Sequence, residues 1–127
     1  MTVKTDVLNR YLFDGKHARG ELVQLTKTYQ EIMDLHNYPS GVQTLLGELV
    51  AATCLLTATL KFQGEITVQL QGDGPIGYMS VNGDHNQNMR GIARLTEPTE
   101  GDCLRDLIGK GTMVITIRPE KGEAYQG

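Results

Sequence analysis

The sequence has no tryptophan, only two cysteines among 127 residues, and no run of lysine and arginine. The net charge is −3, so the basic footprint of a duplex-binding protein is missing. The N-terminus lacks the apolar core of a signal peptide. The longest uncharged apolar run, residues 49–60, is too short to span a bilayer. We therefore expect a cytoplasmic protein with no nucleic-acid or membrane partner.

The two cysteines, Cys54 and Cys103, lie far apart in the sequence, and neither belongs to a C-x-x-C pair. A tetrahedral zinc site needs three or four ligands, usually in close pairs. A disulfide is not favoured in a cytoplasmic chain. We predict two buried thiols, with no metal site and no cofactor in this chain.

The residue types of a catalytic site are also sparse. The two serines lie outside any G-x-S-x-G motif, and the three histidines form no H-x-x-x-H pair. Each histidine is more typical of a surface or loop position than of a general base. No catalytic residue is predicted, and the sequence indicates a protein that is not an enzyme. The serines are Ser40 and Ser80, and the histidines are His17, His36 and His85.

The pattern that is present begins with β structure and continues with helices. "RYLF" and "ARGELVQLT", separated by "DGKH", predict a hairpin. Thr28 and Glu31 have the spacing of a capping box, which predicts a short helix that stops at Pro39. Ser40 and Gln43 have similar spacing and predict the start of a second helix. From residue 49 onward this helix is apolar on both faces, so we expect it to form the core or a subunit contact.

From residue 64 the period of the pattern changes to two. "EITVQLQ", "IGYMSV", "MRGIARL" and "TMVITIR" predict strands, and "CLRDLIGKG" predicts a short helix closed by glycine. The final "AYQG" resembles a returning strand that ends before a partner strand can form. The predicted fold class is α+β: an antiparallel β-meander packed against a mostly apolar central helix and a short preceding helix.

The stretch from residue 70 to 91 has three possible interpretations. Gly72, Gly74 and Gly77 match G-x-G-x-x-G, but a β-like segment follows them where a phosphate loop needs a helix N-terminus. Oxygen-bearing side chains alternate from Asn82 to Asn88, but the distal glutamate of a calcium loop is absent. We favour two β-turns, with the Asn-Gly pair at 82–83 forming a tight hairpin. Arg90 and Arg94 share a strand face, where a solvated surface is favoured over a basic binding stripe.

Several segments together resemble the redox-regulated heat-shock protein 33 family of cytosolic holdase chaperones. They are "RYLF", "RGELV", "HNYP", "LLGELVAATCLLTATLKFQGEITVQLQGDGP", "NGDHNQNMRGIAR" and "EAYQG". The resemblance runs from about Arg10 to Gly127. It implies that residues 1–127 form an N-terminal core domain for client binding and dimerisation, truncated at its C-terminal end. It also implies that a linker and a zinc domain are absent.

In the family, C-x-C and C-x-x-C cysteines of the zinc domain hold the metal, and their oxidation activates the chaperone. Cys54 and Cys103 do not match these ligands, so no metal residue and no redox switch is expected in this chain. The expected partners are unfolded client polypeptides and a second copy of the chain, as a dimer with or without exchanged elements. Candidate client contacts, more typical of core residues, are Leu55, Leu56, Leu60 and Phe62.

Two other functions remain open. One is a non-catalytic structural or oligomerisation domain with no client of its own. The other is a small enzyme that uses the Gly/Asp-rich turns, and it requires a concave pocket that gathers Asp73, Asp84 or His85 beside another titratable group.

Overall fold

The computed structural model describes residues 6–15, 17–61 and 63–127, and it begins with the hairpin that the sequence predicts. β1 (Asp6–Leu12) and β2 (Arg19–Leu25) pair antiparallel and form a two-stranded sheet of their own. The connection is closed by the Phe13 N–H, which donates to the Ala18 carbonyl oxygen at 3.2 Å.

The short helix α1 (Thr26–Asp34) is present, but the predicted capping box is wrong, since the helix has no side-chain cap of its own. The carboxylate of Asp6 in β1 performs that role. It accepts hydrogen bonds from the N–H groups of Lys27 at 3.0 Å and Thr28 at 3.3 Å, and from the Thr28 hydroxyl at 2.6 Å. An anionic acceptor satisfies free N–H groups at a helix N-terminus and complements the helix dipole. Because the cap lies 22 residues away in sequence, it also ties the hairpin to the helix.

The central helix α2 (Ser40–Thr57) is buried on several sides, as predicted. The Ser40–Gln43 cap is wrong, because Pro39 occupies the N-cap position and the Gln43 amide donates to the Tyr38 carbonyl oxygen at 3.1 Å. By length and composition alone α2 could cross a membrane. Its packing against β2, β3, β4 and β5 is that of a core helix. Its buried residues are Val42, Leu46, Leu49, Val50, Thr53, Cys54 and Thr57.

A five-stranded antiparallel sheet follows, and the predicted α+β class is confirmed. Its elements are β3 (Gly64–Gly72), β4 (Ile76–Asp84), β5 (Met89–Leu95), the helix α3 (Leu104–Ile108), β6 (Gly111–Pro119) and β7 (Tyr125–Gln126). The strand order is β5-β4-β3-β6-β7. The meander therefore covers β3 to β5, and α3 carries the chain back so that β6 pairs with the other side of β3.

The core lies between α2 and one face of this sheet. Ile66, Val68 and Leu70 of β3 alternate with polar residues and are buried, as the period of two predicts. Tyr38, between α1 and α2, is also buried, and its hydroxyl accepts the Ala93 N–H at 3.2 Å. Since β5 is an edge strand, this bond holds the helical layer against the free edge of the sheet.

The end of the chain differs from the expectation of a strand without a partner. β7 pairs with β6, with Thr116 opposite Gln126 and Ile117 opposite Tyr125. Gly127 extends the ladder, because its N–H and carbonyl oxygen both bond to Ile115, at 2.9 and 2.7 Å. The prediction that no partner strand forms is therefore wrong.

Candidate functional site

The glycines at 72, 74 and 77 do not form a phosphate loop, because β4 rather than a helix follows them. Gly72 and Gly74 pack directly against the backbone of α3. A Cβ atom on Gly72 would lie 2.1 Å from the carbonyl oxygen of Ile108, and the Gly74 N–H donates to that oxygen at 2.9 Å. Between them, the Asp73 carboxylate accepts the Lys110 N–H at 2.8 Å. Residues 72–74 therefore hold the β3–β4 turn against the end of α3 and the α3–β6 connection through these contacts.

The tight turn predicted at Asn82-Gly83 is wrong, since both residues lie within β4. The reversal comes later, and Gln87 has φ +58°. The Asp84 carboxylate organises this loop by accepting the N–H groups of Asn86 at 2.8 Å and Asn88 at 3.0 Å, and the Asn88 amide at 3.0 Å. The loop's own donors engage this carboxylate, which favours the turn interpretation over calcium coordination.

The pKa of Asp84 reflects this bonding. Partial burial acts to raise the pKa, but the hydrogen bonds from Asn88 and Asn86, with a contribution from the charge of His85, lower it below the ordinary value. The carboxylate is therefore held as an anion by the folded loop.

The concave surface that the enzyme interpretation requires is present near Asp84 and His85, but Asp73 does not line it. Asp73 follows β3, whereas Asp84 lies opposite Glu65 near the start of that strand, so the two aspartates are at opposite ends of the β3–β4 hairpin. Asp84 and His85 line a depression of about 390 Å³ with Glu65 and Arg118. The His85 Nδ1 accepts the Gly64 N–H at 3.1 Å, and Glu65 pairs with Arg118 at 3.4 Å. Asp84, His85, Glu65 and Arg118 therefore all take part in hydrogen bonds or an ion pair that hold this part of the fold together.

The two cysteines have different environments, so the prediction that both are buried is wrong for Cys103, which is exposed. Burial raises the pKa of the Cys54 thiol, and a hydrogen bond with Thr57 offsets this only in part. Cys103 has ligand atoms of Asp102 and Asp106 within 4.8 Å, and all three residues are exposed. This exposed group and one buried thiol do not fit the four-thiolate zinc site that the family resemblance implies.

The candidate client contacts lie near the C-terminal end of α2. Leu55 is half-buried, Leu56 is 37% exposed, and Leu60 is partly buried against the core. Phe62 lies outside the described residues. Their role as client contacts stays a prediction. More exposed hydrophobic side chains occur elsewhere, at positions that the sequence analysis did not single out: Leu12 (84%), Phe13 (56%), Leu22 (57%), Leu35 (70%) and Tyr125 (67%).

The hairpin carries three of these exposed side chains. Strand alternation is visible in its sequence, but it does not show which other elements pack on the hairpin. In the structure α2 packs on β2, and α1 packs on β1. Tyr11 lies on the same face as Leu22, and its ring rests over Gly20, where an added Cβ atom would lie 3.2 Å from the ring. The hairpin therefore exposes large apolar side chains on both of its faces, Tyr11 and Leu22 on one and Leu12 on the other.

Arg90 and Arg94 are exposed on β5, opposite Asn82 and Tyr78 of β4. This face of the sheet is polar, and side chains bond across its strands, as in the bond from the Asn82 amide to the Thr67 hydroxyl at 2.8 Å. The arrangement is that of a solvated sheet face, which the sequence analysis favoured.

Comparisons with known proteins agree with one another. The family model described as Hsp33 protein matches residues 6–127. The 33 kDa chaperonin of Colwellia psychrerythraea is 69% identical over 122 residues, which cover 96% of this chain and 42% of that protein. The protein of the same name from Pseudoalteromonas translucida is 62% identical, over 98% of this chain and 44% of the relative. The chain thus spans less than half the length of these relatives.

A solved structure shows the same fold. The crystal structure of the 33 kDa chaperonin (heat shock protein 33 homolog) from Thermotoga maritima superposes with a TM-score of 0.78. The match covers 94% of this chain and 44% of that one, at 18% identity.

Proposed function

This chain belongs to the Hsp33 family, and on that premise we propose that it binds unfolding polypeptides and keeps them from aggregating, as a holdase chaperone. The name of its relatives, 33 kDa chaperonin, supports the general function. The proposal keeps the cytoplasmic location that the family resemblance implies, and it assigns residues 1–127 to the client-binding core domain.

The observation that carries the proposal is the exposed apolar surface of the β1–β2 hairpin. Leu12, Phe13 and Leu22 are each more than half exposed, and Tyr11 is 43% exposed. Leu12 and Phe13 are adjacent at the hairpin end, whereas Tyr11 and Leu22 share the opposite face of the hairpin, and exposed apolar surface on a soluble domain supports an interaction site. Burial of such side chains against a client contributes roughly 25 cal/mol per Å² of apolar surface, with no need for a particular client sequence.

We propose that the two cysteines within residues 1–127, Cys54 and Cys103, do not control client binding by this segment. The family resemblance attributes the switch to cysteine pairs that hold zinc, and this sequence has neither C-x-C nor C-x-x-C. Cys54 is buried, and its raised pKa keeps it as the thiol, which is the less reactive form. Cys103 is exposed, but it lies at the start of α3, which packs against α2, β3 and β4. Peroxide treatment is therefore expected to leave client binding unchanged.

Self-association is the second part of the proposal. β5 and β7 are edge strands of the five-stranded sheet, and unpaired strand edges pair readily with another chain. We propose a homodimer, with or without exchanged elements. Light scattering over a concentration series measures this directly, and a strictly monomeric chain at all concentrations contradicts it.

The experiment that tests the chaperone function is suppression of aggregation of heat-unfolded citrate synthase by this 127-residue chain. We expect suppression by the wild type and a marked loss in Leu12→Ser/Phe13→Ser. The matched control is Leu104→Ser, which removes an exposed leucine at α3 and should leave suppression unchanged. A folded wild-type chain that suppresses no aggregation favours the alternative, a structural or oligomerisation domain without clients.

A further inference from the structure

A cleft of about 470 Å³ lies between the β1–β2 hairpin and the C-terminal end of α2. Its apolar lining comes from Tyr11 and Leu12 of the hairpin and from Ala58 and Leu60 beyond the helix. This volume is within the range of sites that hold a few side chains or a small ligand. We call it the hairpin cleft.

One charged pair, Arg10 with Glu21, lines the hairpin cleft. The Arg10 guanidinium donates to the carbonyl oxygen of Ala58, the C-cap residue of α2. Arg10 also pairs with Glu21, which lies directly opposite in the hairpin, at 3.4 Å. These contacts join the hairpin to the helix end and neutralise both charges within the protein.

Two further cations line the hairpin cleft without such partners. Arg19 and Lys61 are both exposed, and neither forms an ion pair with a carboxylate among the described residues. Three cations and one carboxylate leave the lining with a net charge of +2, in a protein whose overall charge is −3. The cleft is therefore a positive site on an acidic protein, and it favours an acidic partner.

The cations and the exposed apolar side chains lie side by side. Leu12 is opposite Arg19 in the hairpin register and is 84% exposed, and Phe13 follows it at the hairpin end. A ligand that places an apolar side chain against Leu12 also brings its neighbouring groups close to Arg19. The site combines hydrophobic contact with charge selection.

From this combination we propose that the hairpin cleft binds extended client segments in which a large apolar residue is followed closely by aspartate or glutamate. The proposal rests on the chaperone function proposed above and names the client chemistry of that site. The apolar side chain fills the space beside Tyr11, Leu12 and Leu60. The carboxylate lies between Arg19 and Lys61, which form no ion pair within the part of the chain that the structure describes.

The test uses this chain and three fluorescent peptides of equal length, with binding measured by anisotropy. The first alternates leucine and phenylalanine with glutamate, the second replaces glutamate by lysine, and the third keeps glutamate and replaces the apolar residues by serine. We expect the first to bind about tenfold more tightly than either of the others, with the preference reduced as salt is raised. Equal binding of the acidic and basic apolar peptides overturns the proposal.

Reversing the charge of Arg19 and Lys61 tests the cleft more directly than varying the peptide does. Arg19→Glu/Lys61→Glu should weaken the acidic apolar peptide about tenfold and improve the lysine peptide. The matched control, Arg90→Glu/Arg94→Glu, makes the same change of charge on exposed residues of β5. An equal effect in both double variants shows an effect of net charge alone and overturns the assignment to the cleft.

Aggregation suppression, measured on the same variants, separates this proposal from the chaperone function. If the wild type and Arg19→Glu/Lys61→Glu suppress aggregation of an acidic client equally, the cleft assignment fails while the chaperone function stands. If the peptide preference reverses as expected but no client is protected, the cleft assignment stands and the chaperone function fails.

Discussion

Removal of the Asp6 carboxylate should loosen two elements that are distant in sequence. The carboxylate accepts the N–H groups of Lys27 and Thr28 and the Thr28 hydroxyl, and it reaches α1 from the start of β1. Asp6→Ala deletes all of these bonds. Asp6→Asn keeps one side-chain oxygen as an acceptor but removes the charge at the helix N-terminus.

The expected magnitude follows from the contacts. Loss of a helix N-cap costs about 1 kcal/mol, and loss of a favourable charge at the helix dipole costs about 0.5 kcal/mol. The hydroxyl bond adds about 0.5–1 kcal/mol, at the low end because the site is exposed. We expect Asp6→Ala to lower the free energy of unfolding by about 2 kcal/mol, and Asp6→Asn by about half of that. The larger loss should lower Tm by roughly 5–10 °C for a domain of this size.

The assay is urea unfolding followed by circular dichroism, because the protein has no tryptophan to report by fluorescence. Glu97→Gln, which removes an exposed carboxylate from the β5–α3 connection, is the control and should change stability by less than about 0.5 kcal/mol. Hydrogen exchange should show faster exchange in both α1 and the hairpin for Asp6→Ala. A stability loss no larger than that of Glu97→Gln, or faster exchange confined to α1, refutes the idea that this carboxylate joins the two elements.

Three further predictions concern other parts of the structure. Gly72→Ala should lower the free energy of unfolding by about 1–3 kcal/mol, since its Cβ would overlap the Ile108 carbonyl oxygen, and unchanged urea unfolding would contradict that packing. Because the pKa of Asp84 is lowered in the folded protein, its carboxylate stabilises the fold above about pH 4, and this stabilisation is lost as pH falls through the folded pKa. The difference in free energy of unfolding between wild type and Asp84→Asn should therefore shrink from about pH 6 to about pH 3. A maleimide should modify Cys103 in the folded protein and Cys54 only after unfolding, as read by intact mass; rapid double labelling of native protein would show that Cys54 is accessible.

The family resemblance and the order of the helices and strands could both be predicted from the sequence. The apolar surface of α2 and the alternation in β3 identified a core helix and a half-buried strand, because hydrophobic period reports which side of an element is buried. The glycines at 72 and 74 were weighed as a motif, but the sequence analysis did not predict their close contact with another part of the backbone. Their partner, the α3 backbone, lies more than 30 residues further along the chain.

The sequence by itself determined the order and type of the elements, the α+β class and the family, since these depend on local pattern and on residue identity. Only the tertiary structure decided how distant segments meet. The Asp6 cap on α1 and the return of β6 to the far side of β3 both join residues that are not neighbours in sequence. The same holds for Arg19 and Lys61, which line one cleft. Local periodicity carries no record of such pairings, because each depends on the packed positions of several elements at once.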